Sequence, residues 1–154
     1  MKKITMFALF FAALTSCQDD EGTVLTEPVT VEFTAVQQGA LSGEPLDAAN
    51  FVINTSQEWN AFKSVANSAY GIAGYDVFEG VAVDFEQYTA LAVIDQWWGN
   101  GGYSVQITSV IDNGGEINVG IDHASVEEGN VTSVHCQPFH VIKIPKTTLP
   151  VVFE

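Results

Sequence analysis

Residues 103 to 123 read YSVQITSVIDNGGEINVGIDH, two alternating runs around a glycine pair. In the first run Tyr103, Val105, Ile107, Ser109 and Ile111 alternate with Ser104, Gln106 and Thr108. In the second, Ile117, Val119, Ile121 and His123 alternate with Asn118, Gly120 and Asp122. A period of two marks a strand with one buried face. Asp112-Asn113-Gly114-Gly115 between them carries the residues of a hairpin turn. A slip of one residue would turn every side chain to the opposite face. Ile111 is therefore expected opposite Ile117, Ser109 opposite Val119, Ile107 opposite Ile121 and Val105 opposite His123. That register needs an odd loop, Asn113 to Gly115, with a glycine in the left-handed region.

Working outward, Glu127 to Asn130 reads as a further turn and Val134 to Ile144 as a returning strand, with Pro138 expected at a bulge or an edge. Val151 to Phe153 could close the sheet. Upstream, Tyr88 to Trp97 contains the apolar run Thr-Ala-Leu-Ala-Val-Ile, which predicts a strand buried on both faces. Val31, Phe33 and Ala35 alternate in a first strand, Gln38 to Asp47 is a loop, and Phe51 and Ile53 suggest a second strand. A single helix is expected over about residues 56–67. Thr55 stands three residues before Glu58 as a capping box. Trp59, Phe62 and Val65 or Ala66 then form one stripe, with Lys63 opposite. Asn67 to Gly80, broken by glycines, is expected to be an irregular loop packed over the core. One early helix and a late run of antiparallel strands give an α+β, mainly β single domain over residues 30–154, with no internal repeat.

The chain opens on Met1-Lys2-Lys3, runs apolar but for Thr5 from Ile4 to Leu14, and reaches Leu14-Thr15-Ser16-Cys17. A basic start, a short apolar stretch and small residues at the cut describe a secretory signal over residues 1–16. The run falls short of the roughly 20 residues that span a bilayer. Leu-Thr-Ser-Cys resembles the lipobox of bacterial lipoproteins. The resemblance implies lipidation at Cys17, with several acyl chains anchoring the chain at about 0.8 kcal/mol per buried methylene. Residues 17–29 form a tether, and its Gln18-Asp19-Asp20-Glu21 run resembles the acidic surface-export signal of Bacteroidota lipoproteins. The expected place is the outer membrane. Surface display and the periplasmic face both remain open, since a plain polar tether has the same composition.

All 19 acidic residues follow Cys17, opposed there only by Lys63, Lys143 and Lys146, with no arginine, which gives a formal charge of −16. Such a field repels nucleic acid and excludes it as a partner. Basic partners or divalent cations fit the sign, and so does a surface that merely keeps the protein soluble. With Cys17 lipidated, Cys136 has no partner and reads as a small buried residue in a strand.

His123, His135, Cys136 and His140 are metal-ligating types, but their spacing is poor. His135 and His140 are five apart and point to opposite faces of a strand unless Pro138 introduces a bulge, which leaves them weak metal candidates. His123 continues an apolar face and reads as a core-edge residue. No nucleophile elbow or cysteine-protease sequence is present. The carboxylate pairs Asp84 with Glu86 and Glu127 with Glu128 are of a kind found in any chain this acidic. Gly99-Asn100-Gly101-Gly102 leads into a strand without a lysine, so it is no phosphate loop. No cofactor is expected. The segment that stands out is Trp97-Trp98-Gly99-Asn100-Gly101-Gly102-Tyr103. Adjacent strand residues face opposite ways, so one of the two tryptophans is a candidate for exposure beside Asn100, Gly101, Gly102 and Tyr103. Such a ring suits a protein anchor or a sugar platform. The alternative has both rings packed beneath the Asn67 to Gly80 loop.

The later chain resembles the C-terminal domain family of PrcB, the lipoprotein subunit of a spirochaete surface protease complex. The likeness runs over roughly residues 50–146. It rests on the strand and helix around Phe51 to Phe62, on Val83-Asp84-Phe85, on Gly101-Gly102-Tyr103 followed by Val105 and Ile107, and on Pro138, Val141, Ile142, Ile144 and Pro145. It implies a non-catalytic module that binds or stabilises a partner, in the parent case a protease complex. Gly101, Gly102 and Tyr103 carry over as family positions, either functional or required by the fold. This chain departs from the pattern in its paired tryptophans and its acidity. The expectation is a lipid-anchored accessory protein that docks another exported protein through residues 97–103. A glycan-binding surface lipoprotein using Trp97 or Trp98 comes second and a small hydrolase last.

Overall fold

The run Tyr88–Ile94 is apolar on both faces because both faces are covered, and the rest of the architecture follows from that. In the computed structural model, which describes residues 27–125 and 132–154, the elements are β1 (Val29–Thr30), β2 (Thr34–Leu41), β3 (Ala49–Ile53), α1 (Ser56–Ala69), β4 (Tyr88–Ile94), β5 (Tyr103–Asp112), β6 (Ile117–Ser125), β7 (Gln137–Pro145) and β8 (Val151–Phe153). Cys17, most of the expected tether and the Glu127 to Asn130 turn lie outside the described residues. Two four-stranded sheets form, in the orders β1-β5-β6-β8 and β2-β7-β4-β3. The second sheet is the middle layer. Ala90, Ala92 and Ile94 of β4, with Phe139 and Val141 of β7, face Trp59, Phe62 and Ala66 of α1. Leu91 and Val93, with Ile142 and Ile144, face Val105, Ile107, Val110 and Val119 of the first sheet. The chain is α+β and mainly β, as its patterning predicts.

Alanines at 90 and 92 leave room for large rings on the helix side. There Trp59 meets Phe78 edge-on at 5.2 Å and Phe62 meets Phe51 at 5.2 Å, spacings at which aromatic quadrupoles attract. The helix begins where its capping box places it. Thr55 Oγ1 accepts from the Glu58 amide at 3.2 Å, and Glu58 accepts from the Asn54 and Thr55 amides at 2.8 and 3.1 Å. It runs two residues past the expected end, to Ala69, and buries Ala66 while Val65 stays exposed. The loop that follows covers the core through Val77 and Phe78. Its start lies so close to the β2–β3 loop that a Cβ on Gly43 would sit 2.6 Å from the Gly71 backbone, a contact only glycine avoids.

Four expectations are corrected. The first strand is divided. Val29–Thr30 pairs in one sheet, Val31 to Phe33 crosses between layers, and Thr34–Leu41 pairs in the other, ending later than the expected loop start. The hairpin register holds at Val105 with His123 and Ile107 with Ile121, then shifts. Ser109 lies opposite Gly120, Val110 opposite Val119, Ile111 opposite Asn118 and Asp112 opposite Ile117. A bulge at Thr108 turns Val110 inward in place of Ser109 and Ile111, which buries a valine fully instead of a serine. The loop is then even, with Gly114 at φ 82. Pro138 is neither at a bulge nor at a sheet edge. It sits at the second position of β7, between β2 and β4, and its carbonyl accepts from the Asp95 amide at 2.9 Å. Near a strand start the missing donor costs one end bond. Finally, β8 joins β6 in parallel, not antiparallel.

Candidate functional site

Where β4 ends, the chain stays pinned by its backbone to the segment that leads into β7. Trp98 and Cys136 exchange hydrogen bonds, at 2.8 Å from the Trp98 amide and 3.1 Å to its carbonyl. The Gly101 amide donates to the Thr132 carbonyl at 3.0 Å, and the Cys136 thiol donates to the Asn100 carbonyl at 3.2 Å. Cys136 is buried, as expected. The glycine pair has a structural explanation. Gly101 is buried where a Cβ would run into Thr132 Oγ1, and Gly102 has φ 95, in the left-handed region. Asn100 contributes its backbone, since its carbonyl holds the thiol.

The two tryptophans go to different places, and neither lies in the core packed against the Asn67 to Gly80 loop. Trp98 is half-buried and stacks on Tyr103 with centroids 3.8 Å apart and planes 2° from parallel. Its indole Nε1 donates to Asp95 Oδ2 at 3.3 Å. Trp97 is 36% exposed and stacks at 4.4 Å on His135, which is itself exposed, next to Val134 at 59%. An exposed indole stacked on an exposed imidazole thus lies apart from a second, half-buried aromatic pair, Trp98 with Tyr103.

Sequence reading missed one pairing. Asp95, only 8% exposed, holds His123 by a contact of 3.3 Å between Oδ1 and Nδ1. His123 has the strand partner expected of it, Val105, yet its side chain is exposed and faces the carboxylate instead of the core. The only available signal was positional: Asp95 follows directly on a strand buried on both faces, and His123 ends an inward-facing row. Asp95, Trp98, Tyr103, His123 and Ser125 line a shallow hollow of about 150 Å³.

His135 and His140 are not brought together. His140 is 3% exposed, and its Nδ1 accepts from the Ile107 amide at 2.9 Å, which places its proton on Nε2. Burial holds its pKa below 6.5. Nearby, Gln38 Nε2 donates to the Val105 carbonyl at 3.1 Å. These two side chains each take up one backbone group on the stretch of β5 that β1, pairing only at Ile111 and Asp112, leaves open. Among the described residues no group of three His, Cys, Asp or Glu side chains is placed to hold a metal ion. No family model, curated protein or solved structure matches the chain.

Proposed function

We propose that this chain is an exported, lipid-anchored accessory protein, held at the outer membrane through Cys17, that docks another envelope protein without catalysing a reaction. The observation that carries the reading is the Trp97 platform. A tryptophan stacked on an exposed imidazole, with the backbone on either side of it bonded to Pro138 and to Cys136, loses little freedom when a partner covers it. Aromatic anchors of this kind concentrate binding energy in protein interfaces. The lipobox at Leu14 to Cys17 supports the anchor, and the resemblance to the PrcB C-terminal domain supports a partner-binding role, with a protease complex as one candidate setting.

A second reading has one observation in its favour. The hollow beside the Trp98–Tyr103 stack places a carboxylate, an imidazole and a serine around an aromatic wall, the elements of a small sugar subsite. Excess free sugar would compete with a glycan and would leave a protein contact intact.

The test is a pull-down from the detergent-solubilised envelope of the native organism, using the full-length lipidated chain beside its Trp97→Ala variant. The expected result is one near-stoichiometric protein that the variant loses, with affinity reduced by about 2 kcal/mol or more. Recovery of the same protein by both baits, or of no protein by either, would sink the reading.

A further inference from the structure

Strand edges carry unpaired N–H and C=O groups, and folded proteins blunt them with shortness, charge, proline or bulges. Among the described residues, three of the four sheet edges are blunted. β1 and β8 have two and three residues. β2 has a bulge at Val36, and its Gln38 reaches across to β5. β3 has none of these protections. Its five residues, Ala49-Asn50-Phe51-Val52-Ile53, carry no charge and no proline and keep an unbroken register against β4. Val52 is 38% exposed.

Alongside this edge, between β3 and α1, lies an open groove of about 400 Å³. Phe51 and Phe62 meet in it, Ala61 and Val65 form its helix wall, and Glu58 stands on its border. Asn50 also borders a second hollow that includes Asp95 and His123, and those two residues in turn border the hollow beside Trp98 and Tyr103.

We propose that β3 receives an extended segment of another exported protein as an added antiparallel strand, with alternate apolar side chains in the groove and a lysine or arginine near Glu58. Backbone pairing would supply affinity and the groove specificity, as in other cases of strand addition. The charge decides the occupant. A second exported copy would bring the same formal charge of −16, whereas a cationic segment complements that charge and Glu58. Antiparallel addition lays the segment's C-terminal side past Asn50, toward Asp95 and His123. The source of the segment rests on the exported, partner-binding reading above; the edge itself does not.

The experiment selects a displayed library of short random peptides against the full chain purified in detergent, then measures the selected peptides on Val52→Lys, Val65→Arg, Glu58→Gln and Trp97→Ala variants. The first two positions are exposed, and glutamine at 58 keeps an acceptor for the cap, so unchanged thermal melting checks that each variant is folded. Selected peptides should alternate apolar residues behind an N-terminal lysine or arginine. They should lose about tenfold or more in affinity on Val52→Lys, which charges the strand edge, and on Val65→Arg, which charges the groove wall, less on Glu58→Gln, and nothing on Trp97→Ala. No enrichment, or peptides that bind all variants alike, overturns the proposal. So does a concentration-dependent dimer in sedimentation that Val52→Lys abolishes, which would give the edge to a second copy. A failed selection beside a successful pull-down would leave the Trp97 platform standing.

Discussion

At the scale of single residues, His140 shows how a polar side chain can serve the fold. Its neutral ring accepts the Ile107 amide inside the sandwich, and burial holds its pKa below 6.5. Above the unfolded value of about 6.5 the ring is neutral in both states, and the contribution is fully present. As the pH falls below that value the unfolded chain takes up the proton first, so stability drains away until the folded pKa is passed. The urea midpoint should therefore fall as the pH drops from neutral to below about 6.5. His140→Asn, which offers an oxygen near the Nδ1 position and does not titrate, should flatten that slope while lowering stability at neutral pH by roughly 1–3 kcal/mol. An unchanged slope would show that another group drives the loss. Glu58 and Asp76, whose carboxyls are held below 4.5 and 3.8 mainly by a backbone hydrogen bond from Asn54 and a side-chain bond from Asn67, lose their contributions in a separate, more acidic window.

At the scale of elements, the local signals were legible and the compensations were not. The α1 capping box could be read directly from Thr55 and Glu58, because it depends on residues three apart. Its contribution should be measurable: Thr55→Ala is expected to cost about 1 kcal/mol in denaturant unfolding without moving the aromatic core. The double burial of β4 was equally plain from its unbroken apolar run. The bulge at Thr108 was hidden because it answers a distant demand, the filling of the space beneath Val110 by the middle sheet. The crossing of residues 31–33 was hidden for the same reason: alternation shows which side chains turn inward, but not which sheet supplies the interior. At the candidate site the Trp97 to Tyr103 loop was visible by composition. The assignment of Trp98 to Tyr103 and of Trp97 to His135 was not, since it depends on the bridge to Cys136. The Asp95–His123 contact joins the exit of β4 to the end of β6, and no local pattern links them.

At the scale of the molecule, charge works against compaction. After Cys17 the formal charge is −16, and the three lysines there do little to offset it. Lys63 and Lys143 lie over the rings of Trp59 and Tyr88, and Lys146 donates to the Asn54 carbonyl. Among the described residues the one close contact between a basic and an acidic side chain is that of His123 with Asp95. Like-charge repulsion should therefore outweigh specific pairing. The melting temperature is expected to rise as sodium chloride is brought from a few millimolar to about 0.1 M, where the screening length is about 10 Å. A fall in melting temperature would mean that attractive pairs dominate instead.

The middle sheet also sets a timetable. Thr34 of β2 pairs with Lys143 of β7, and β7 is also the neighbour that completes β4. About a hundred residues must be made between the first of these strands and the last. At roughly 5–20 residues per second, that leaves the early half of the chain without its partner for on the order of ten seconds. During that interval Leu41, Phe51, Trp59 and Phe62 belong to no finished interior, and whatever attends the nascent chain must keep them from finding the wrong one.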